Sequence, residues 1–277
     1  MTNDITLSCE GIFDSHAHYF DRRFAEETAG ADAILENEVF GRGVGGVINV
    51  GTGSQNNRIC IEQAAHYPKM YAAIGLHPED VYYGGGTLED ELADLRELLG
   101  TVETRRRDKI VALGEIGLDY HVENPDKARQ AAFFEAQLAL AEELDLPVII
   151  HDREAHGDCF ETVLRYPHVR GVFHSFSGSV ELAHELVRRG WYISFSGVLT
   201  FKNARKTLEV AQSLPHDRIL IETDAPYLAP TPFRGRMNHS GLVCYTAATL
   251  ADLIGKSYEE TVALTAENAR TLFGIET

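Results

Sequence analysis

Residues 110–151 contain the unit that decides the fold. Ile110-Val-Ala-Leu-Gly-Glu-Ile-Gly-Leu-Asp119 is a nearly continuous apolar run that closes on an acid. Ala128 to Leu144 then carries Ala131, Phe134, Leu138, Ala141 and Leu144 at i, i+3, i+4 spacings. Pro147-Val-Ile-Ile-His151 is a second apolar run, closing on a histidine. The outer segments have the composition of parallel strands buried on both faces, and the middle has the period of an amphipathic helix.

The same rhythm extends in both directions. Apolar runs occur at Gly11–His18, Gly45–Gly53, Met70–His77, Gly171–Phe176, Trp191–Gly197 and Ile219–Asp224. With the first two runs, that makes eight candidate strands. Helical stretches lie between them. Thr87 is placed to cap Leu88–Leu99, with Asp90 standing in for the usual Glu of a capping box. Ser179 is placed to cap the stretch to Arg189. Leu242–Ile254 and Ser257–Phe273 follow the last strand, the latter with Tyr258, Val262, Thr265, Ala269 and Leu272 on one face. Eight alternations in a chain of 277 residues predict a single-domain α/β (β/α)8 TIM barrel over residues 1–277. The alternative is an open doubly wound sheet, which would carry a phosphate fingerprint after its first strand. A G-x-G-x-x-G does occur at Gly41, Gly43 and Gly46, but it precedes the second strand. It therefore reads as turn glycines feeding that strand.

Composition narrows the function. Apolar residues make up 44% of the chain, too many for a disordered protein. Asp and Glu total 42 against 25 Lys and Arg, a formal charge of −17, which argues against a generic basic nucleic-acid coat. Cys9, Cys60, Cys159 and Cys244 form no C-x-x-C pair and read as reduced thiols. Residues 1–10 have no apolar core of a secretory signal, and no run approaches the ~18 residues of a membrane span. A cytoplasmic protein with no membrane contact and no obligate protein partner is the expectation.

The strand ends carry the chemistry. The first run closes on Asp14-Ser-His16-Ala-His18, and two His at i and i+2 of a strand point to one side. Others close on Gly75-Leu-His77-Pro, Gly114-Glu115-Ile-Gly-Leu-Asp119, His151-Asp-Arg153, His174-Ser-Phe and Glu222-Thr-Asp224. In a barrel all C-terminal strand ends converge on one face, where active sites sit. Six convergent His, Glu and Asp side chains point to two metal ions. His16 and His18 supply one site, and His151 and His174 the other. Glu115 is placed to bridge them. Asp224 would bind one ion while accepting a proton from the attacking water, so Glu115 and Asp224 are the candidate catalytic residues. Two ions suit hydrolysis by a metal-activated water. The set of four His and two carboxylates suits Zn2+ or Mn2+ by ligand softness.

These motifs resemble the TatD family of metal-dependent deoxyribonucleases, within the amidohydrolase superfamily of (β/α)8 barrels. The matching segments are Asp14–His18, Gly75–Pro78, Gly114–Tyr120, Leu146–Ala155, Phe173–Gly178 and Glu222–Leu228, in order from about Ile12 to Phe273. The resemblance implies hydrolysis of DNA phosphodiester bonds with a divalent cation, typically Mg2+. It implies His16, His18, Glu115, His151, His174 and Asp224 as metal ligands. His77 and Arg153 match positions on the substrate side. Arg234-Gly-Arg-Met-Asn238 resembles the family's R-G-x-x-N segment, which places Arg234 and Asn238 at the substrate as well. Arg153, Arg234 and Lys202 would neutralise phosphate oxygens. Two departures stand out. Ser240 occupies a position where the family commonly has Pro. Arg105-Arg-Arg107 fits no family motif and reads as a solvated helix end. The other hydrolase reading is a two-metal enzyme for a small ester, lactone or amide, and a barrel without turnover is the non-enzymatic one. With two ions bound, the mouth is expected to be the electropositive spot on an acidic body, gripping one or a few DNA phosphates or a small phosphate or ester substrate.

Overall fold

The computed structural model describes residues 7–276. All eight apolar runs form strands: β1 (Phe13–Ala17), β2 (Gly46–Val50), β3 (Met70–Ile74), β4 (Ile110–Asp119), β5 (Val148–Arg153), β6 (Gly171–Phe173), β7 (Tyr192–Phe195) and β8 (Ile219–Ile221). They lie in chain order in one sheet, each parallel to the next. β6 and β8 are only three residues long. They are shorter than the apolar runs because regular pairing stops where His174 and Glu222 begin.

The sheet curls into a nearly closed barrel. The seam between β1 and the end of β8 is held by the Ala17–Ala225 bridge, with the His18 N–H donating to the Ala225 carbonyl at 2.7 Å and the Asp224 N–H donating to the His16 carbonyl at 2.9 Å. Asp14 reinforces it from inside. Its carboxylate accepts from the Thr223 N–H (2.9 Å), the Thr223 hydroxyl (2.6 Å) and the His16 N–H (3.2 Å). Burial pushes the Asp14 carboxyl up to about 7, even against those bonds.

Two apolar layers sandwich the sheet. Inside the barrel, Phe13, Ile48, Ala73, Ala112, Ile149 and Leu220 form a packed column. The last helix, Tyr258–Phe273, adds Ala266, Ala269, Leu272 and Phe273 to that column. Its Asn268 amide donates to the carbonyls of His216 and Ile219, which fixes the helix where β8 begins. Outside, the other strand faces pack against the helices. Gly43, with a φ of +88°, lies in the turn before β2, as expected of glycines feeding that strand, while Gly46 opens β2 where a β-carbon would sit 2.2 Å from the Phe13 ring.

The helices follow the predicted stripes and caps. Thr87 accepts from the Asp90 N–H and Ser179 from the Leu182 N–H, and Ser257 and Glu260 form a full capping box. Helix Lys127–Leu144 buries Phe134, Leu138 and Ala141, while Ala131 and Leu144 are only half-buried. It also buries Gln130 and Gln137, which the apolar pattern does not include. The reason is backbone pairing at strand ends. Gln130 bonds both the N–H and the carbonyl of Asp119, and Gln137 both those of Leu76. The sequence reading places no helix between β1 and β2. The structure has short helical turns over residues 23–42, anchored singly by Phe24, Leu35 and Val39. The arginine triplet ends helix Val102–Arg107, but Arg105 is buried rather than solvated. No helix among the described residues is long and apolar enough to cross a membrane. The four cysteines are buried and unbridged.

The seam gives a direct test. Asp14→Ala strands the Thr223 N–H inside the protein and leaves the Thr223 hydroxyl only its longer bond to the His16 carbonyl (3.4 Å), at about 1–3 kcal/mol per unsatisfied group. The thermal midpoint should fall by roughly 5–15 °C. An unchanged midpoint would show that Asp14 does not hold the seam.

Candidate metal centre

The strand C-termini bring the six expected side chains together. His16 and His18 come from the end of β1, Glu115 from the middle of β4 and His151 from β5. His174 follows β6 directly, and Asp224 lies three residues beyond the end of β8. β4 can run beside β5 here because of Gly117, which adopts a φ of +145° and whose β-carbon would lie 2.0 Å from the His151 carbonyl oxygen. Glu115 is the hub. Its Oε2 lies 3.4 Å from His16 Nε2 and 3.5 Å from His18 Nε2. Its Oε1 lies 2.7 Å from His151 Nδ1 and 2.8 Å from His174 Nε2. Asp224 Oδ1 stands 3.3 Å from His18 Nε2 and 3.8 Å from His16 Nε2. The two β1 histidines face each other, Nε2 to Nε2, at 3.0 Å.

The outer nitrogens show what these donors suit. His18 Nδ1 lies 2.7 Å from the Val50 carbonyl, which only accepts, so its proton is there and its Nε2 lone pair faces inward. His151 Nε2 meets Asp119 Oδ2 at 2.9 Å, and His174 Nδ1 meets Glu222 Oε1 at 3.2 Å. In their neutral forms, both histidines then aim a lone pair at Glu115 Oε1. Lone pairs facing a carboxylate need a proton or a cation between them. No Lys or Arg among the described residues pairs with Glu115 or Asp224. His16 Nδ1 is buried without a partner. A histidine whose outer nitrogen is held by a carbonyl or carboxylate is the usual second layer of a metal ligand. The residues therefore fit divalent cations.

Protonation states follow from the same contacts. Burial works against the Glu115 carboxylate, but His174, His77, His16 and the His151 hydrogen bond outweigh it and hold the group well below its ordinary range. Burial likewise pulls His151 and His174 down. Asp119 and Glu115 overcome this at His151, taking it up to about 9, while Glu115 and Glu222 hold His174 well above its usual value. His16, buried and next to His174, is lowered. Without ions, protons therefore occupy part of the space between the donors.

The remaining expected residues divide into two groups. His77 and Arg153 line the same cavity, of about 700 Å³. His77 also joins the donor cluster with Glu115 and His151, its Nε2 3.5 Å from Glu115 Oε1. Its Nδ1 accepts the Glu79 N–H at 3.2 Å, so Nε2 carries the proton and can donate. Arg234, Asn238 and Lys202 do not line the cavity. Arg234 stacks over the Phe201 ring at 4.1 Å. Asn238 is fully buried and donates to the carbonyls of Thr223 and Tyr227, so its amide shapes the loop after β8. The protein's own charges at the mouth are mostly acidic. Asp21, Glu79, Asp80 and Asp152 line it, against Arg153 as the one Lys or Arg among the described lining residues. Asp119 and Glu222 were visible as strand-end acids in the sequence, but their partners lie on neighbouring strands. The Val50 carbonyl left no sequence signal at all.

Metal binding must compete with protons here. His151 is raised from 6.5 to about 9, so in the metal-free protein its contribution to stability is full below pH 6.5 and is lost as pH rises through about 9. Ion binding displaces those protons, so its affinity should rise with pH. Calorimetry at pH 7 in buffers of different ionisation enthalpy should show net proton release. Asp119→Asn should weaken binding by about 10–100-fold. An absence of both effects would exclude His151 as a ligand.

Known proteins resemble this chain over nearly its whole length. The family model described as TatD related DNase matches residues 13–274. YabD of Bacillus subtilis, described as an uncharacterized metal-dependent hydrolase, is 40% identical over 267 residues, covering 95% of this chain and 99% of YabD. YjjV of Escherichia coli, described in the same words, is 35% identical over 265 residues, covering 95% and 98%. The crystal structure of YjjV, described as a TatD homolog, superposes with a TM-score of 0.86 at 32% identity, covering 98% of this chain and all of that one. A TatD family hydrolase from Entamoeba histolytica shares the fold with a TM-score of 0.79 at 22% identity, covering 96% and 98%. The chain belongs to the TatD family of metal-dependent hydrolases.

Proposed function

We propose that this hydrolase is a deoxyribonuclease, cleaving DNA phosphodiester bonds at a two-ion centre. The observation that carries the reading is the division of Glu115. One oxygen faces the β1 histidines and the other faces His151 and His174, which is the arrangement of a bridging carboxylate. His16, His18 and Asp224 would hold one ion and His151 and His174 the other, with Glu115 shared. Divalent cations at such a centre lower the pKa of water and offset charge on a phosphoryl group. Mg2+ is the expected ion, and the histidine-rich donor set is also compatible with Zn2+ or Mn2+.

The chain's own groups supply the rest. The Asp224 side chain is 16% exposed and that of Glu115 only 3%, so Asp224 is the carboxylate open enough to take a proton from attacking water. His77 Nε2–H is placed to donate to a phosphate oxygen. Arg153, exposed at the end of β5, would hold another. Phe20, Phe176 and Tyr227 give the cavity aromatic surface for a nucleotide base. The acidic wall limits the number of phosphates that can be engaged. The substrate would present one or a few of them, as at a strand end, and binding should depend only shallowly on salt.

The same acidic wall favours a second reading, in which the substrate is a small ester, lactone or amide carrying little negative charge. Matched assays separate the two. Single- and double-stranded DNA, a phosphodiester and a carboxyl ester are tested with Mg2+ or Mn2+. The deoxyribonuclease reading expects DNA hydrolysis, with kcat lowered at least about 100-fold in Asp224→Asn and Glu115→Ala, as for loss of an acid–base group. Turnover of the carboxyl ester alone would overturn it in favour of the second reading. Full DNA hydrolysis by both variants would refute the mechanism.

A further inference from the structure

The Arg105–Arg107 triplet fits no motif, yet two of its members wall a second cavity. This groove, of about 560 Å³, lies at the other end of the barrel, where β3, β4 and β5 begin. β4 runs from Ile110 at the groove to Asp119 at the metal centre, ten residues or ~30 Å at ~3.3 Å per residue. The two sites are therefore separate.

Four cations line the groove: Arg105, Arg106, Lys109 and Arg170. Arg170 alone has a carboxylate partner, Asp145, at 2.5 Å. Arg105 is only 8% exposed, and its bonds are from Nη1 to the carbonyls of Gly100 (3.0 Å) and Leu99 (3.5 Å). Lys109 Nζ donates to the Tyr67 carbonyl at 2.6 Å, and burial holds that ammonium below its ordinary value. Arg106 is exposed, and its guanidinium makes no hydrogen bond or ion pair among the described residues. Exposed Glu103 and Glu276 are close by, but neither forms an ion pair with the cations. A guanidinium this buried with no ion pair, and only the exposed Glu103 as a nearby counter-charge, is costly. It is also out of keeping with a chain in which acids outnumber bases 42 to 25. Between the cations the wall is apolar, formed by Tyr71, Leu146 and Phe273, with Val102 at the lip 65% exposed.

We propose that this groove is a second ligand site for a phosphomonoester with an apolar or aromatic body. Its phosphate would sit among Arg105, Arg106 and Lys109, and its body on Tyr71, Leu146 and Phe273. Three cations without a carboxylate ion pair, one of them (Lys109) 5.8 Å from the centre of the Tyr71 ring, match the nearly double charge of a phosphomonoester better than the single charge of a carboxylate. The volume is that of a small-molecule site. The proposal does not depend on which bond the metal centre cleaves.

The test uses the full chain loaded with Mn2+ and three probes: adenosine 5′-monophosphate, inorganic phosphate and adenosine. Calorimetry measures affinity, and peptide mass spectrometry measures protection of Arg106 from phenylglyoxal, which distinguishes this groove from the metal centre. The monophosphate should protect Arg106 at submillimolar concentration, phosphate at least tenfold less well, and adenosine not at all. Arg106→Glu should weaken this binding at least tenfold and leave hydrolysis at the metal centre unchanged. Lack of protection by the monophosphate at millimolar concentration, equal protection by phosphate or adenosine, or unchanged affinity in Arg106→Glu would overturn the proposal.

Discussion

A carboxylate buried among five imidazoles must be balanced by positive charge, and Glu115 sets that requirement for the whole barrel mouth. Its two oxygens face different histidine pairs, so protons or cations must gather on both sides of it. In water such an arrangement would relax by solvation. Here Glu115 is only 3% exposed, and the surrounding protein has to hold every partner in place. The outward contacts of His18, His151 and His174 to Val50, Asp119 and Glu222 do this. Each fixes a ring and turns one nitrogen towards Glu115.

The scaffold explains how residues so far apart in the chain reach that point. Parallel strands in sequence order put all their C-terminal ends on one face, so a ligand at the end of each becomes a neighbour of the rest. The seam is the vulnerable part of such a barrel, because β8 is short and its partner lies more than 200 residues away in the chain. Asp14 spans it beside His16, so the same few residues close the barrel and seat the β1 histidines. Gln130 and Gln137 act comparably from outside, holding the backbone at Asp119 and just before His77.

Much of this was legible because burial on both faces writes long apolar runs, and a strand end that turns into a cavity writes an abrupt His, Glu or Asp. The eight strands, the capped helices and the six clustered donors all follow from those signals. The parts that were not legible depend on partners distant in sequence. Gln130 and Gln137 look like surface residues of an amphipathic helix until the strand ends they hold are known. Asn238 sits in a motif that suggests substrate contact, yet it is fully buried and bonded to backbone carbonyls. Arg105 reads as a solvated helix end, but the chain folds over it. The helical turns over residues 23–42 carry no sustained apolar stripe, so periodicity could not reveal them.

The chain's acidity is also part of the account. With Asp21, Glu79, Asp80 and Asp152 around the mouth, attraction for a phosphate would have to come from ions at the centre and from Arg153, not from a general basic surface. The central claim is therefore that two ions share Glu115. Anomalous diffraction from crystals of the Mn2+-loaded protein tests it most directly. The account predicts two peaks, one among His16, His18 and Asp224 and one at His151 and His174, with one Glu115 oxygen on each. A single peak, or two ions neither of which is bridged by Glu115, would contradict it.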